Sequence, residues 1–371
     1  MDRRTFLQLA AAAPLLGAEM PVPKYHIVTS YKRIDGGGMP GKYPARAVRV
    51  HSEGAIDTAA NRVDGAVVRK MLTAGMLKLT GASNERDAWS QFISPNDVVG
   101  IKVNCSGAPE INSNPELVAG IIDNLIAVGV PADHIYIYDR FQNQMRIVNF
   151  PPHVAKGVNV WAAESSRGSI LGYDPNTYVE VDFFGEEDTR SNLIKLVSEK
   201  FTKVINVPTM KEHRAAGVTG CLKNIAYGDF SNVARSHHRE HSNTYSFIGT
   251  LASVEPLRSR TVLNIMDGLR SVWQGGPFLQ SPRFLFFPKI LMFGTDPVAL
   301  DHLLINLIEK KRKQEGAPSI FDRSEAHVRF GPELDPNFNS FIREPAHVDY
   351  ASHLGLGVYD MARIKESEIN L

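Results

Sequence analysis

Apolar positions along the chain fall into short runs and helical stripes that alternate. Residues 98–103 form a compact apolar run and predict a strand. A loop over 104–114 follows, and Asn114-Pro115 supplies an N-cap and a first-turn proline. Val118, Ile121, Ile122, Leu125 and Ile126 then share one helical face, and Gly129 ends it. Residues 134–138 predict a second strand ending at Asp139. Strand–helix–strand with one intervening helix implies parallel pairing.

The alternation continues in both directions. From Asp57 onward, Val63, Val67, Met71 and Ala74 predict a helix. Further strands are predicted at 158–161, 203–207, 262–266 and 290–293, with a helix at 192–201 that places Leu193, Leu196 and Val197 on one face. Asp296 caps a strong helix with Pro297 in its first turn and Leu300, Leu303, Leu304 and Leu307 inside. The fold class predicted is therefore α/β, a mainly parallel sheet with helices on both faces. Residues 21–55 are rich in Gly and Pro without clear periodicity, and the tail from about Glu315 is polar, so both ends read as irregular extensions. No linker divides the chain, and one domain over 21–371, with its core at about 50–365, is the expected organisation.

The first twenty residues belong to a different kind of element. Arg3-Arg4 precedes Phe6-Leu7, an apolar run reaches Leu16, and small residues Gly17 and Ala18 follow. That order reads as a twin-arginine signal peptide over 1–20, which implies a folded, periplasmic or secreted protein and the twin-arginine export machinery as a partner. No later stretch approaches the apolar length of a membrane span.

Composition narrows the function classes. With 41 basic against 40 acidic residues the chain lacks the basic excess of a nucleic-acid binder. Two cysteines, Cys105 and Cys221, are too few for a disulfide framework or for an iron–sulfur cluster held by cysteine alone. Two separate buried thiols are favoured over one disulfide. No Gly-x-Ser-x-Gly elbow, P-loop or dinucleotide fingerprint is present.

Ligands of open α/β sheets gather beyond the carboxyl ends of the strands, and those ends deliver Asn104, Asp139, Asp267 and Asp296. For Asp296 capping is the favoured reading, while Asp267 and Asp139 stay open between capping and function. The densest polar stretch is 206–241. Lys211, His213 and Arg214 follow a strand, and Gly217-Val-Thr-Gly220 opens a helix carrying Lys223 and Asn224. A helix N-terminus beside such cations is an anion site; the plain alternative is a basic surface loop before a core helix. Lys223 and Asp267 are the candidate catalytic groups, and Asn104, Asp139, Lys211, His213 and Asn224 the candidate substrate-binding groups. His237 and His241 stand at helical spacing and, with His213 or Asp229 as a third, are candidate ligands of a divalent metal; substrate hydrogen bonding or a solvated helix face is the alternative.

Several segments together resemble a known family: Val-Val-Gly-Ile-Lys102-Val-Asn104, the Asn-Pro-Glu-Leu-Val helix, the strand ending at Asp139, Ile-Asn-Val-Pro-Thr-Met-Lys211-Glu-His213, Gly-Val-Thr-Gly220-Cys-Leu-Lys223-Asn224, Asp296-Pro-Val-Ala-Leu-Asp301 and Leu-Gly355-Leu-Gly357. In this order they resemble the bacterial domain of unknown function 362 family over most of 50–365. The resemblance implies an α/β domain, twin-arginine export in some members and an added ferredoxin-like module in others. This chain lacks the cysteine-rich run of such a module. No reaction is inherited with the name. The residues suggest an exported enzyme acting on a small anionic substrate, metal-assisted or not, with a non-catalytic periplasmic ligand- or cofactor-binding protein as the alternative.

Overall fold

The structure, a computed structural model, describes residues 22–165, 172–237, 243–322 and 345–371. Ten strands matter to the site: β1 (Arg46–His51), β2 (Val99–Val103), β3 (Ile135–Phe141), β4 (Asn159–Glu164), β5 (Lys203–Val207), β6 (Thr209–His213), β7 (Gly217–Thr219), β8 (Thr261–Val272), β9 (Ile290–Gly294) and β10 (Lys365–Asn370). The main sheet runs β10-β1-β9-β8-β5-β2-β3-β4, with the β6–β7 hairpin hanging from β8. Strands β8, β5, β2, β3 and β4 are mutually parallel, and β9 is antiparallel to both of its neighbours. The expected α/β fold with a mainly parallel sheet is therefore what forms.

Helices α1 (Gly65–Thr80), α2 (Glu85–Ser90) and α3 (Pro115–Val128) cover one face, and α4 (Cys221–Asp229), α5 (Thr244–Ala252), α6 (Pro297–Gln314) and α7 (His347–His353) cover the other. Each face has its own core. Val68, Leu72, Leu117, Ile121 and Leu125 pack on Ile101, Val103, Ile205, Val207 and Ile265. On the opposite side Leu222, Ile225, Phe247, Leu251, Leu300 and Leu304 form a second buried cluster.

Some expected elements differ. The helix expected from Asp57 starts only after Asp64, whose carboxylate caps it by accepting from the amides of Ala66 and Val67. Before it, Ile56–Asp57 and Arg62–Val63 pair as a small hairpin. The helix expected at 192–201 is mostly replaced. Arg190–Ile194 is a strand in a three-stranded sheet with Tyr173–Glu180 and His26–Val28, and only Lys195–Glu199 is helical. Leu193 and Leu196 suit either geometry, and antiparallel pairing with Tyr173–Glu180 decides for the strand. The two ends are less irregular than expected: β1 lies inside the sheet, and β10 closes its edge with Glu366 and Glu368 around Arg49. Cys105 and Cys221 are separate buried thiols.

Candidate functional site

Three adjacent parallel strands repeat one pattern: Ile101-Lys102-Val103-Asn104, Ile205-Asn206-Val207 and Leu263-Asn264-Ile265. Side chains alternate across a strand, so the apolar members enter the core under α1 and α3 and the polar members face α4. Register sets Asn206 beside both Lys102 and Asn264. The result is a directed chain of buried amides. Lys211 Nζ donates to Asn104 Oδ1 at 2.8 Å, and Asn104 Nδ2 donates to Asn224 Oδ1 at 2.9 Å. Asn224 Nδ2 donates to Asn206 Oδ1 at 2.7 Å, and Asn206 Nδ2 to Asn264 Oδ1 at 2.8 Å. Asn264 Nδ2 ends the run on the carbonyls of Gly294 and Thr295. Each bond polarises the next, and a satisfied buried network holds its members in one arrangement.

Beside this chain lies a buried ion pair. Lys102 Nζ donates to Asp139 Oδ1 at 2.8 Å and to the Val103 carbonyl at 2.7 Å. Asp139 also accepts from the amides of Cys105 and Arg140, both at 2.8 Å, so its carboxylate ties β3 to the loop after β2. Helix α4 passes directly above Lys102, since a Cβ on Gly228 would stand 2.3 Å from Lys102 Nζ. The next residue, Asp229, is buried beside the Tyr138 hydroxyl. Burial pushes it up to about 7, against the pull of the Lys102 ammonium.

The β6–β7 hairpin carries the expected basic residues, but as buried side chains rather than a surface loop. Lys211, Glu212 and His213 are all buried. Lys211 donates to the Ser106 carbonyl as well as to Asn104. Burial, followed by the charge of Lys223, brings Lys211 down to about 7. Lys223, half-buried on α4, is also lowered to about 7, by burial and then by Arg140. Its Nζ rests 4.7 Å from the centre of the Tyr227 ring. Arg140 binds Glu164 at 2.8 Å and reaches the Tyr227 carbonyl at 3.3 Å.

The histidines complete the cluster in defined tautomers. His213 Nδ1 accepts from the amides of Ala215 and Ala216 at 3.1 and 3.2 Å, so the ring proton sits on Nε2, which is a donor. His237 Nδ1 faces the Ala234 carbonyl at 3.2 Å and must donate to it, which leaves Nε2 as an acceptor. The two rings lie 5.4 Å apart, and Tyr227 packs edge-on against His237 at 5.3 Å. Burial first and the Lys223 charge second push His213 well below its ordinary value and lower His237 to about 3. His347 from α7 is likewise lowered to about 3 by burial and Lys223. Among the described residues no carboxylate forms an ion pair with Lys211 or Lys223.

One expected element of the anion site is taken by the protein itself. The amides of Cys221 and Leu222, which open α4, donate to the carboxylate of Asp301 at 2.6 and 2.9 Å. A Cβ on Gly220 would stand 2.0 Å from Asp301 Oδ1. The α4 N-terminus is therefore capped from α6 and is closed to a ligand. The cations are what remain of the predicted site.

Residues 99–306, more than half of the chain, match the family model described as "Domain of unknown function (DUF362)". The chain belongs to this family. No curated protein matches it. A crystal structure of a protein from Thermotoga maritima aligns over 68% of this chain at 8% identity and a TM-score of 0.36. The alignment spans 59% of that protein's length.

Within this DUF362 chain the predicted residues separate into two groups. Lys211, His213, Lys223, Asn104 and Asn224 meet, with Asn104 and Asn224 inside the amide chain that anchors Lys211. Asp139 is committed to Lys102 and two amides. Asp267 accepts from the amide and side chain of Asn114 at 2.8 and 2.7 Å, so it closes the start of α3 and does not join the cations. Asp296 caps α6 as expected, accepting from Ala299 at 2.9 Å and also from Ala45 and Val358. His241 lies outside the described residues. Among the described residues no group of three His, Cys, Asp or Glu converges as a metal ligand set. A metal-binding histidine donates its second ring N–H to a neighbour; His213 does the reverse, and Lys211 and Lys223 stand beside it. The donors at His213, Lys211 and Lys223 suit an anion, and of the two described candidate histidines only His237, with its Nε2 free of the Ala234 contact, has the tautomer of a metal ligand.

Sequence reasoning missed Lys102, Asn206, Asn264, Tyr227 and His347. The strand residues were legible as single polar positions inside apolar runs, a signal that repeats in three strands. Tyr227 and His347 enter only through tertiary packing.

Proposed function

We propose that this chain is an enzyme acting on a small anionic substrate, exported folded by the twin-arginine route. The observation that carries the reading is the nearness of Lys211 and Lys223, two lysines lowered to about 7 beside His213, neither in an ion pair with a carboxylate among the described residues. Buried cations without a counter-charge are costly unless a ligand supplies one. Lys211, held by Asn104 and the Ser106 carbonyl, and the Nε2–H of His213 would bind the anion. Lys223, titrating near neutrality, would move protons, and the acceptor nitrogen of His237 would receive a hydrogen bond.

The engagement of Asp267 by Asn114 favours the second reading, a non-catalytic binder, because it withdraws one expected acid from the site. Calorimetry with phosphate, sulfate, oxalate and pyruvate on the mature protein tests the common part. Saturable binding of one of them, lost in Lys223→Met, is expected; no binding by any would end both readings. Product formation from the bound anion would favour the enzyme over the binder.

A further inference from the structure

We propose that the anion of this site carries a hydroxyl of its own, and that His213 and His237 recognise that hydroxyl as a donor–acceptor pair. The inference rests on the anion reading above and narrows the ligand to an oxyanion with an O–H, such as hydrogen phosphate or a hydroxy acid.

Backbone contacts set the pair. The amides of Ala215 and Ala216 both donate to His213 Nδ1, so the ring proton is on Nε2. At His237 the arrangement is opposite. The Ala234 carbonyl stands 3.2 Å from Nδ1 and can only accept, so the proton is on Nδ1 and Nε2 carries a lone pair. Burial, and then the Lys223 charge, hold His237 at about 3, so this acceptor persists at neutral pH. Neither Nε2 has a hydrogen-bond partner among the described residues. The ring centres are 5.4 Å apart. Two hydrogen bonds of about 2.9 Å span up to about 5.8 Å, so one oxygen can meet both rings.

A hydroxyl oxygen suits that position, because it accepts from His213 and donates to His237. A fully deprotonated oxyanion satisfies only His213 and sets its own lone pair against that of His237. The remaining groups hold the charge. Lys211 is anchored by Asn104 and the Ser106 carbonyl, and Lys223 Nζ lies 4.7 Å from the centre of the Tyr227 ring, a contact that favours an ammonium. Thr219 pairs directly with Lys211 across the β6–β7 hairpin, so its side chain shares the face that carries Lys211 and His213. Its hydroxyl is buried and has no hydrogen-bond partner among the described residues. The face presented to a ligand is thus polar beyond the two lysines.

The test is titration calorimetry of the full mature chain at pH 7.5 with two pairs of anions. Hydrogen phosphate and sulfate match in shape and nearly in charge, and glycolate and acetate match in charge; only the first of each pair has an O–H. The hydroxyl-bearing anion of at least one pair should bind about tenfold or more tighter than its partner, because the partner leaves a buried acceptor unpaired. A preference within the first pair alone marks a phosphate group, and within the second alone a hydroxy acid. His237→Phe should bring the ratio to about one. His237→Gln, whose Oε1 replaces Nε2 as an acceptor, should keep part of it. Sulfate binding as tightly as phosphate, and acetate as tightly as glycolate, would overturn the inference and leave the anion reading standing. A full preference surviving in His237→Phe would also overturn it. Absence of binding by all four would remove both.

Discussion

Anion binding to this site should draw protons from solution, and the amount follows from the two lysines. Lys211 and Lys223 each lie near 7, Lys211 lowered by burial and then by Lys223, and Lys223 by burial and then by Arg140. Asp139 opposes the shift at Lys211, while His213, His237 and His347 are neutral at pH 8. At pH 8 each lysine is about one-tenth protonated; a bound anion that restores an ordinary lysine value makes each fully charged, an uptake of about two protons per anion. At pH 6 both are already about nine-tenths charged, so the uptake falls to about 0.2. The sign is fixed: affinity weakens as pH rises above 7. Titration calorimetry at pH 8 in Tris and in triethanolamine, which differ in ionisation enthalpy, gives the proton count directly. Lys223→Met, which loses binding, should show neither the heat nor the uptake. Binding at pH 8 with no proton uptake would refute the assignment of these two lysines to the ligand.

The remaining expectations concern stability and export. A lysine lowered in the folded state binds fewer protons than the unfolded chain between about pH 7 and 10.5, so its destabilising effect is complete below 7 and fades as pH rises. Lys223→Met should therefore raise the melting temperature at pH 7, by the equivalent of about 1 kcal/mol after allowance for partial exposure, and do little at pH 10; an equal gain at both values would point to packing instead. Asn224→Ala strips Asn104 Nδ2 and Asn206 Oδ1 of their partners and should cost about 2–4 kcal/mol in urea unfolding. Gly228→Ala drives a methyl into Lys102 and should destabilise by about 1–3 kcal/mol, where a neutral outcome would contradict the close passage of α4. Replacing Arg3 and Arg4 by Lys should hold the protein inside the cell, and fractionation showing normal export would discard the signal assignment.

The sheet was legible because its strands are short apolar runs between capped helices. Residues 98–103, 203–207 and 290–293 were read to within a residue or so, and Asp296 announced α6. What escaped notice depended on contacts distant in sequence. β1 and β10 carry charge on their exposed positions, and each becomes a strand by pairing with the other. Strand Arg190–Ile194 had helical spacing and was claimed by Tyr173–Glu180. At the site, the cations were visible as a cluster in 211–223, but their burial was not, because a run such as Lys-Glu-His resembles a surface loop until the hairpin is docked on β8. The same holds for the α4 N-terminus: its amides read as an anion site, and the carboxylate that fills it comes from Asp301, about eighty residues later. Polar residues that carry the amide chain sit singly in three strands, and only sheet register brings Asn206 and Asn264 together.

The central claim is that a small anion sits among Lys211, His213 and Lys223. Its most direct test is anomalous diffraction from crystals of the mature protein soaked in selenate at pH 6.5, where both lysines are mostly charged. A selenium peak is expected at a position that brings selenate oxygens within hydrogen-bond distance of Lys223 Nζ and His213 Nε2. Selenate bound elsewhere on the protein while this cluster stays empty, or a carboxylate of the chain itself resting on Lys223, would contradict it.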